Sequence, residues 1–102
     1  MATLYLKSAQ ETKETLHLVQ SAIENEIVRL NLALKLADKR LAPFEKKYGV
    51  TSDKFIVTMA AEDLDGGDDE YIDWAGEYKL KQRLQAKLNH LKSITYDYSS
   101  IS

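Results

Sequence analysis

Eight carboxylates and no base stand between Glu62 and Glu77: Glu62, Asp63, Asp65, Asp68, Asp69, Glu70, Asp73 and Glu77. Such a cluster can hold a cation, meet a basic partner, or do no more than solvate a turn. For a calcium loop, Asp63, Asp65 and Asp68 offer oxygens, but Gly66-Gly67 interrupts the ligand spacing and no glutamate closes the loop where it should. For magnesium, the model is the small all-α nucleotide pyrophosphatase, which holds the ion between paired acidic motifs on helices. Glu70-x-x-Asp73 supplies one such pair on a single helix face. The other would have to be Glu11-x-x-Glu14, more than fifty residues upstream. No calcium or magnesium site of useful affinity is therefore expected, and no cofactor.

As a polyanion, the stretch can occupy on a basic protein the place that nucleic-acid phosphates would take. Tyr71, Trp74 and Tyr78 follow at three- and four-residue spacing, one face of a helix. Aromatic stripes are ordinarily core, and the alternative is an apolar anchor beside the acids. On that alternative the partner-binding residues are Asp68, Asp69, Tyr71, Asp73 and Trp74. No catalytic residue is expected: His17 and His90 stand alone, and the chain has no nucleophile elbow, zinc-binding His-Glu-x-x-His or phosphate-cradling glycine loop. The bases are spread over two helices among acids, which argues against a nucleic-acid partner.

The charge balance sharpens the polyanion reading. All 14 lysines and arginines lie outside the acidic stretch, against the remaining 8 of 16 acids, so the chain as a whole is −2 while the part outside the stretch is +6. The 102 residues are 44% apolar and suit one small helical domain, 1–102, whose modest core favours oligomerisation. The absence of cysteine excludes a disulfide framework. No basic leader precedes an apolar run, and no apolar stretch approaches the ~20 residues of a membrane span. A cytoplasmic protein without a membrane partner is expected.

The elements that must position these residues are helices. Leu16, Ile23, Leu30, Ala37 and Phe44 alternate with Ile27, Leu34, Leu41 and Tyr48 at steps of three and four, interrupted only by Gln20. That spacing keeps one helix face against a neighbour for many turns. The expected architecture is all-α, a long helix packed against a C-terminal helix in a bundle. Ile23, Ile27, Leu30, Leu34 and Leu41 are expected to form the seam of a homodimer. Val28, Leu32 and Leu36 lie nearly opposite that seam, so the helix should be packed on both sides.

The helix should begin between Ser8, with Glu11 as its capping-box partner, and Thr15, and it should end near Tyr48, where Gly49 can adopt the left-handed conformation. Pro43 predicts a kink or break near Lys39–Ala42. Thr51 to Asp53 can cap a short helix over 53–61. Asp65-Gly66-Gly67-Asp68 is a turn, after which Asp68 or Asp69 can cap a third helix carrying Leu80, Leu84, Leu88 and Leu91. Lys79, Lys81, Arg83, Lys87 and Lys92 load its later turns with the sign that the macrodipole favours. Residues 2–6 read as a strand or arm, and 95–102 as β-leaning or frayed.

Two segments are familiar together. Leu41-Ala-Pro-Phe-Glu-Lys-Lys-Tyr-Gly-Val-Thr-Ser-Asp-Lys-Phe55 and Asp68-Asp-Glu-Tyr-Ile-Asp-Trp-Ala-Gly-Glu-Tyr78 resemble a family of small helical proteins of cyanobacteria and archaea, the antitoxin halves of two-gene toxin–antitoxin pairs (the TumA-like group). Phe44, Glu45, Lys47, Tyr48, Gly49, Phe55, Asp69, Asp73 and Trp74 carry the resemblance, and Pro43 departs from it. The resemblance implies a protein that neutralises a small toxin, a ribonuclease in one form, by binding it, the toxin being encoded by a neighbouring gene. A magnesium-dependent pyrophosphatase and a structural dimerisation module are the competing readings.

Overall fold

Two long helices run antiparallel and are joined at one end by a short helical connection. The structure, a computed structural model, describes residues 9–101, with side chains described for 12–94. Helix α1 spans Ala9–Tyr48, α2 spans Ser52–Thr58, a 3-10 turn covers Ala61–Asp63, and α3 runs Gly67–Ile101. Among the described residues there is no strand. The molecule is a rod of 63 × 23 × 21 Å, as a 40-residue helix rising 1.5 Å per residue requires.

The heptad face of α1 is buried, and α3 is what buries it. Leu30, Leu34 and Leu88 form one core cluster, flanked by Ile27, Leu84 and Leu91. Leu41 belongs to a larger cluster with Phe55, Leu64, Trp74, Ala75 and Tyr78, and Ala37 is fully buried between the two levels. Of the seam expected to receive a second subunit, Ile27, Leu30, Leu34 and Leu41 are thus packed from within the chain. Leu30, Leu34 and Leu41 are buried, and Ile23 and Ile27 are half-buried. Periodicity reports that a face is packed; it carries no information on which chain packs it. The opposite stripe, Val28, Leu32 and Leu36, is exposed.

α1 is unbroken across Pro43, so of the kink or break expected near Lys39–Ala42 the break does not occur. Proline forfeits one backbone hydrogen bond and crowds the preceding turn. Here Leu41, Phe44 and Tyr48, on either side of it, all pack into the larger cluster and hold the last turns in register. Gly49, at φ +65°, then ends the helix, and its N–H reaches the Glu45 carbonyl at 2.9 Å. This is the left-handed stop that a side chain would strain.

The connection is tighter than the sequence pattern indicates. α2 ends at Thr58 rather than 61, because Met59 and Ala60 turn to extended backbone. Thr51 caps α2 as expected, its hydroxyl accepting from Lys54 N at 3.3 Å. The Ala60 N–H is met by the Asp63 carboxylate at 2.8 Å, which anchors the 3-10 turn. α3 begins at Gly67, one residue before Asp68 and two before Asp69, the expected caps, and Gly67 itself sits at φ +61°. It also continues to Ile101, so 95–101 is helical rather than β-leaning or frayed. Lys79 to Lys92 consequently lie inside the helix, and its last turn carries no base. Residues 2–6 and Ser8 lie outside the described residues.

Candidate functional site

Trp74 organises the closed end of the hairpin. Its ring is fully buried and stacked face to face on Phe55, with centroids 3.7 Å apart and planes 1° from parallel. Phe44 and Tyr48, one turn apart on α1, stack on it at 5.4 and 5.6 Å, and Tyr71 tilts against Phe55 at 5.2 Å. A buried indole needs a partner for its N–H. Nε1 donates to Ser52 Oγ at 2.8 Å. The same hydroxyl donates to Glu45 Oε2 at 2.8 Å, and that oxygen also accepts the Ser52 backbone N–H at 2.7 Å. The relay Glu45–Ser52–Trp74 therefore ties all three helices through one hydroxyl and satisfies a free N–H at the start of α2.

Glu70 is the second fastening. Its carboxylate accepts from the Tyr48 hydroxyl, from Lys47 Nζ at 2.9 Å and from the Gly66 N–H at 3.2 Å. Tyr48 accepts in turn from the Asp65 N–H at 2.9 Å. The Tyr48 hydroxyl above all, then the Lys47 ammonium and the Gly66 N–H, hold the Glu70 carboxyl below the usual carboxylate range against the opposing effect of desolvation. Reciprocally, Glu70 raises Lys47. Reaching back over the turn, Glu70 holds the N–H of Gly66, the residue immediately before α3. Gly66 must stay small for this, since a Cβ there would lie 2.8 Å from Glu70 Cβ.

A third set of contacts closes the side of the hairpin. Tyr78 donates to Asp53 on α2, and this bond, followed by burial, raises the phenol. Lys81 pairs with Asp38 at 2.7 Å and Arg40 with Glu77 at 3.6 Å. The Asp38 hydrogen bond is the main cause holding Lys81 in its charged form.

The five expected partner-binding residues accordingly divide. Trp74 is core and offers nothing to a partner; the indole that anchors a surface must reach it, and this one is enclosed by three rings. Tyr71 is half-buried against Phe55. Asp68, Asp69 and Asp73 are exposed and make no ion pair among the described residues. Between them stands Ile72, 64% exposed, one turn from Asp68 and Asp69. The sequence reading missed both Ile72, which belongs to no stripe, and the relay through Glu45 and Ser52, whose members have no periodic relation.

The paired acidic motifs do not converge. Glu70 lies against Tyr48 at the C-terminal end of α1, whereas Glu11 and Glu14 sit near its N-terminal end, about 50 Å away along the helix. Among the described residues no three acidic, histidine or cysteine side chains are grouped to hold a metal ion, and no helix is long and apolar enough to cross a membrane. No family model, curated protein or solved structure matches the chain.

Proposed function

We propose that the chain is an antitoxin-like binding protein that neutralises a small basic toxin by complex formation through the first two turns of α3. The observation that carries this reading is the set Asp68, Asp69 and Asp73, exposed and unpaired around an exposed Ile72, on a helix start fixed from behind by the Trp74 cage and the Glu70 fastening. Negative charge without internal compensation gives a long-range attraction for a cationic surface and a fast encounter. Ile72 supplies the apolar contact that slows dissociation, the part first assigned to Trp74. A ribonuclease suits the partner chemistry, since a surface that binds RNA phosphates also binds clustered carboxylates.

The test is binding to the product of the neighbouring open reading frame. Reversal of Asp68, Asp69 and Asp73 to lysine should slow association and weaken its dependence on salt, and Ile72→Ala should mainly speed dissociation. Circular dichroism controls for the loss of favourable charge at the helix start. If the folded triple variant binds with unchanged affinity at low and high salt, the acids are a solvated helix start and the proposal fails.

A further inference from the structure

α1 has two apolar faces and α3 covers one. With Leu30, Leu34, Ala37 and Leu41 turned inward, the 100° advance per residue places Val28, Leu32 and Leu36 on the far side. Leu18 precedes Leu36 by a whole number of turns and falls in the same line. The four are 72% (Leu18), 68% (Val28), 59% (Leu32) and 44% (Leu36) exposed. A lone exposed leucine is ordinary; an aligned row along one helix marks an interaction surface.

The charges on this face are sorted by sign. N-terminal to Val28 it carries Glu14 and Glu24, and C-terminal to Leu32 it carries Lys35, Lys39 and Lys46, all exposed. None of the five makes an ion pair among the described residues. By contrast Glu26, Asp38, Arg40 and Lys47 of the same helix are all paired with α3. His17, Ser21 and Asn25 fill the remaining places near the stripe; of the bases that flank it, Arg29 is paired with Glu26 on its own helix, and Lys13 lies at the N-terminal edge beside Glu14 and Leu18.

A face that is acidic at one end, apolar in the middle and basic at the other is complementary to itself when inverted. A parallel neighbour would set lysine on lysine and glutamate on glutamate. An antiparallel neighbour, related by a two-fold axis at the level of Leu30, sets Val28 against Leu32, Glu24 between Lys35 and Lys39, and Glu14 at Lys46, each contact repeated by symmetry. We propose that this face is a homodimer interface, occupied by α1 of a second copy packed antiparallel across it. From Glu14 to Lys46 the helix extends about 48 Å, and a strip about 10 Å wide gives roughly 500 Å² per copy. The total of roughly 1,000 Å² stands at the threshold of a specific interface and fits a weak, reversible dimer. The proposal rests on α1 alone and stands or falls separately from the acidic surface at the closed end of the hairpin.

Sedimentation of the full chain from low micromolar to a few hundred micromolar should show a monomer–dimer equilibrium. Leu32→Lys, at an exposed position that leaves the intrachain core untouched, should keep its circular dichroism and weaken the dimer at least tenfold. Lys35→Glu with Lys39→Glu should do the same, and adding Glu24→Lys to that pair should restore association. Orientation is read by cross-linking, since the chain has no cysteine of its own. A mixture of Ser21→Cys and Lys39→Cys chains should form the mixed disulfide in preference to either homodimer. A chain that stays monomeric throughout overturns the proposal and leaves the stripe to a different protein. So does a Leu32→Lys variant that dimerises like the wild type. Ser21→Cys cross-linking to itself as readily as to Lys39→Cys overturns the antiparallel arrangement.

Discussion

Ser52→Ala removes a single oxygen at the junction of three helices, and the consequence can be worked out bond by bond. The hydroxyl accepts from the Trp74 indole and donates to Glu45, and both Ser52 and Trp74 are almost wholly shielded from water. Alanine leaves the indole N–H without an acceptor in a site closed by Phe44, Tyr48 and Phe55, a penalty of about 1–3 kcal/mol for one buried unsatisfied donor. The Glu45 carboxylate keeps the Ser52 backbone N–H, so the second lost bond adds little. Trp74→Phe removes the same donor by other means, at a cost dominated by the lost ring volume. Once the donor is gone, the hydroxyl has less to satisfy. The double variant should therefore lose less than the sum of the two, with a coupling of about 0.5–2 kcal/mol. Urea unfolding followed by far-ultraviolet circular dichroism measures all four corners of the cycle, and the emission of the only tryptophan follows the two that retain it. A Ser52→Ala variant within about 0.5 kcal/mol of wild type, an ordinary surface effect, together with strict additivity would refute the reasoning.

Two glycines should respond in opposite directions. Gly76→Ala, on an exposed turn of α3 where an added Cβ meets nothing, should stabilise by about 1 kcal/mol, and Gly67→Ala, held at φ +61°, should destabilise by about 1–2 kcal/mol; thermal melts distinguish them. Glu70 has a folded-state acidity greater than its unfolded one. Its stabilising contribution is therefore complete above the ordinary carboxylate range and is lost as pH falls through the lowered value. Urea midpoints should drop on acidification below about pH 4.3, and Glu70→Gln should flatten that part of the profile while lowering the plateau at neutral pH. Tyr78 is raised, so its contribution is complete below the ordinary phenol range of about pH 10 and fades as pH climbs through the raised value; Tyr78→Phe should remove that alkaline slope.

The all-α architecture was legible because it is periodic. A three–four repeat from Leu16 to Tyr48 admits little besides a long packed helix, and Gly49 and Thr51 mark the stop and restart by local backbone chemistry that needs no distant partner. What was not legible is pairing across distance. Leu30 and Leu34 look the same whether Leu88 of the same chain or a second subunit covers them. Trp74 and Ile72 sit two residues apart in one acidic segment, yet one is fully buried and the other largely exposed. Which of them points inward is decided by Phe55 and Phe44, far off in sequence. The Glu45–Ser52–Trp74 relay depends on how tightly α2 folds back, and Pro43 on whether neighbouring side chains hold the helix through a missing hydrogen bond.

The antiparallel hairpin also imposes an order on its own assembly. Sequence separation across the pair grows steadily from its closed end to its open end: Tyr48 meets Glu70 across 22 residues, whereas Glu26 meets Lys87 across roughly 60. Closing the longer loop unaided costs about 0.9 kcal/mol more chain entropy, and each turn of α1 laid on α3 shortens the loop that remains for the next. The aromatic cage lies where closure is cheapest and buried rings are densest. It should thus be the nucleus from which the helices zip together and the last part to come apart. The far end, where the two helices have only each other, opens first, and amide exchange protection should fall along the rod from Trp74 outward.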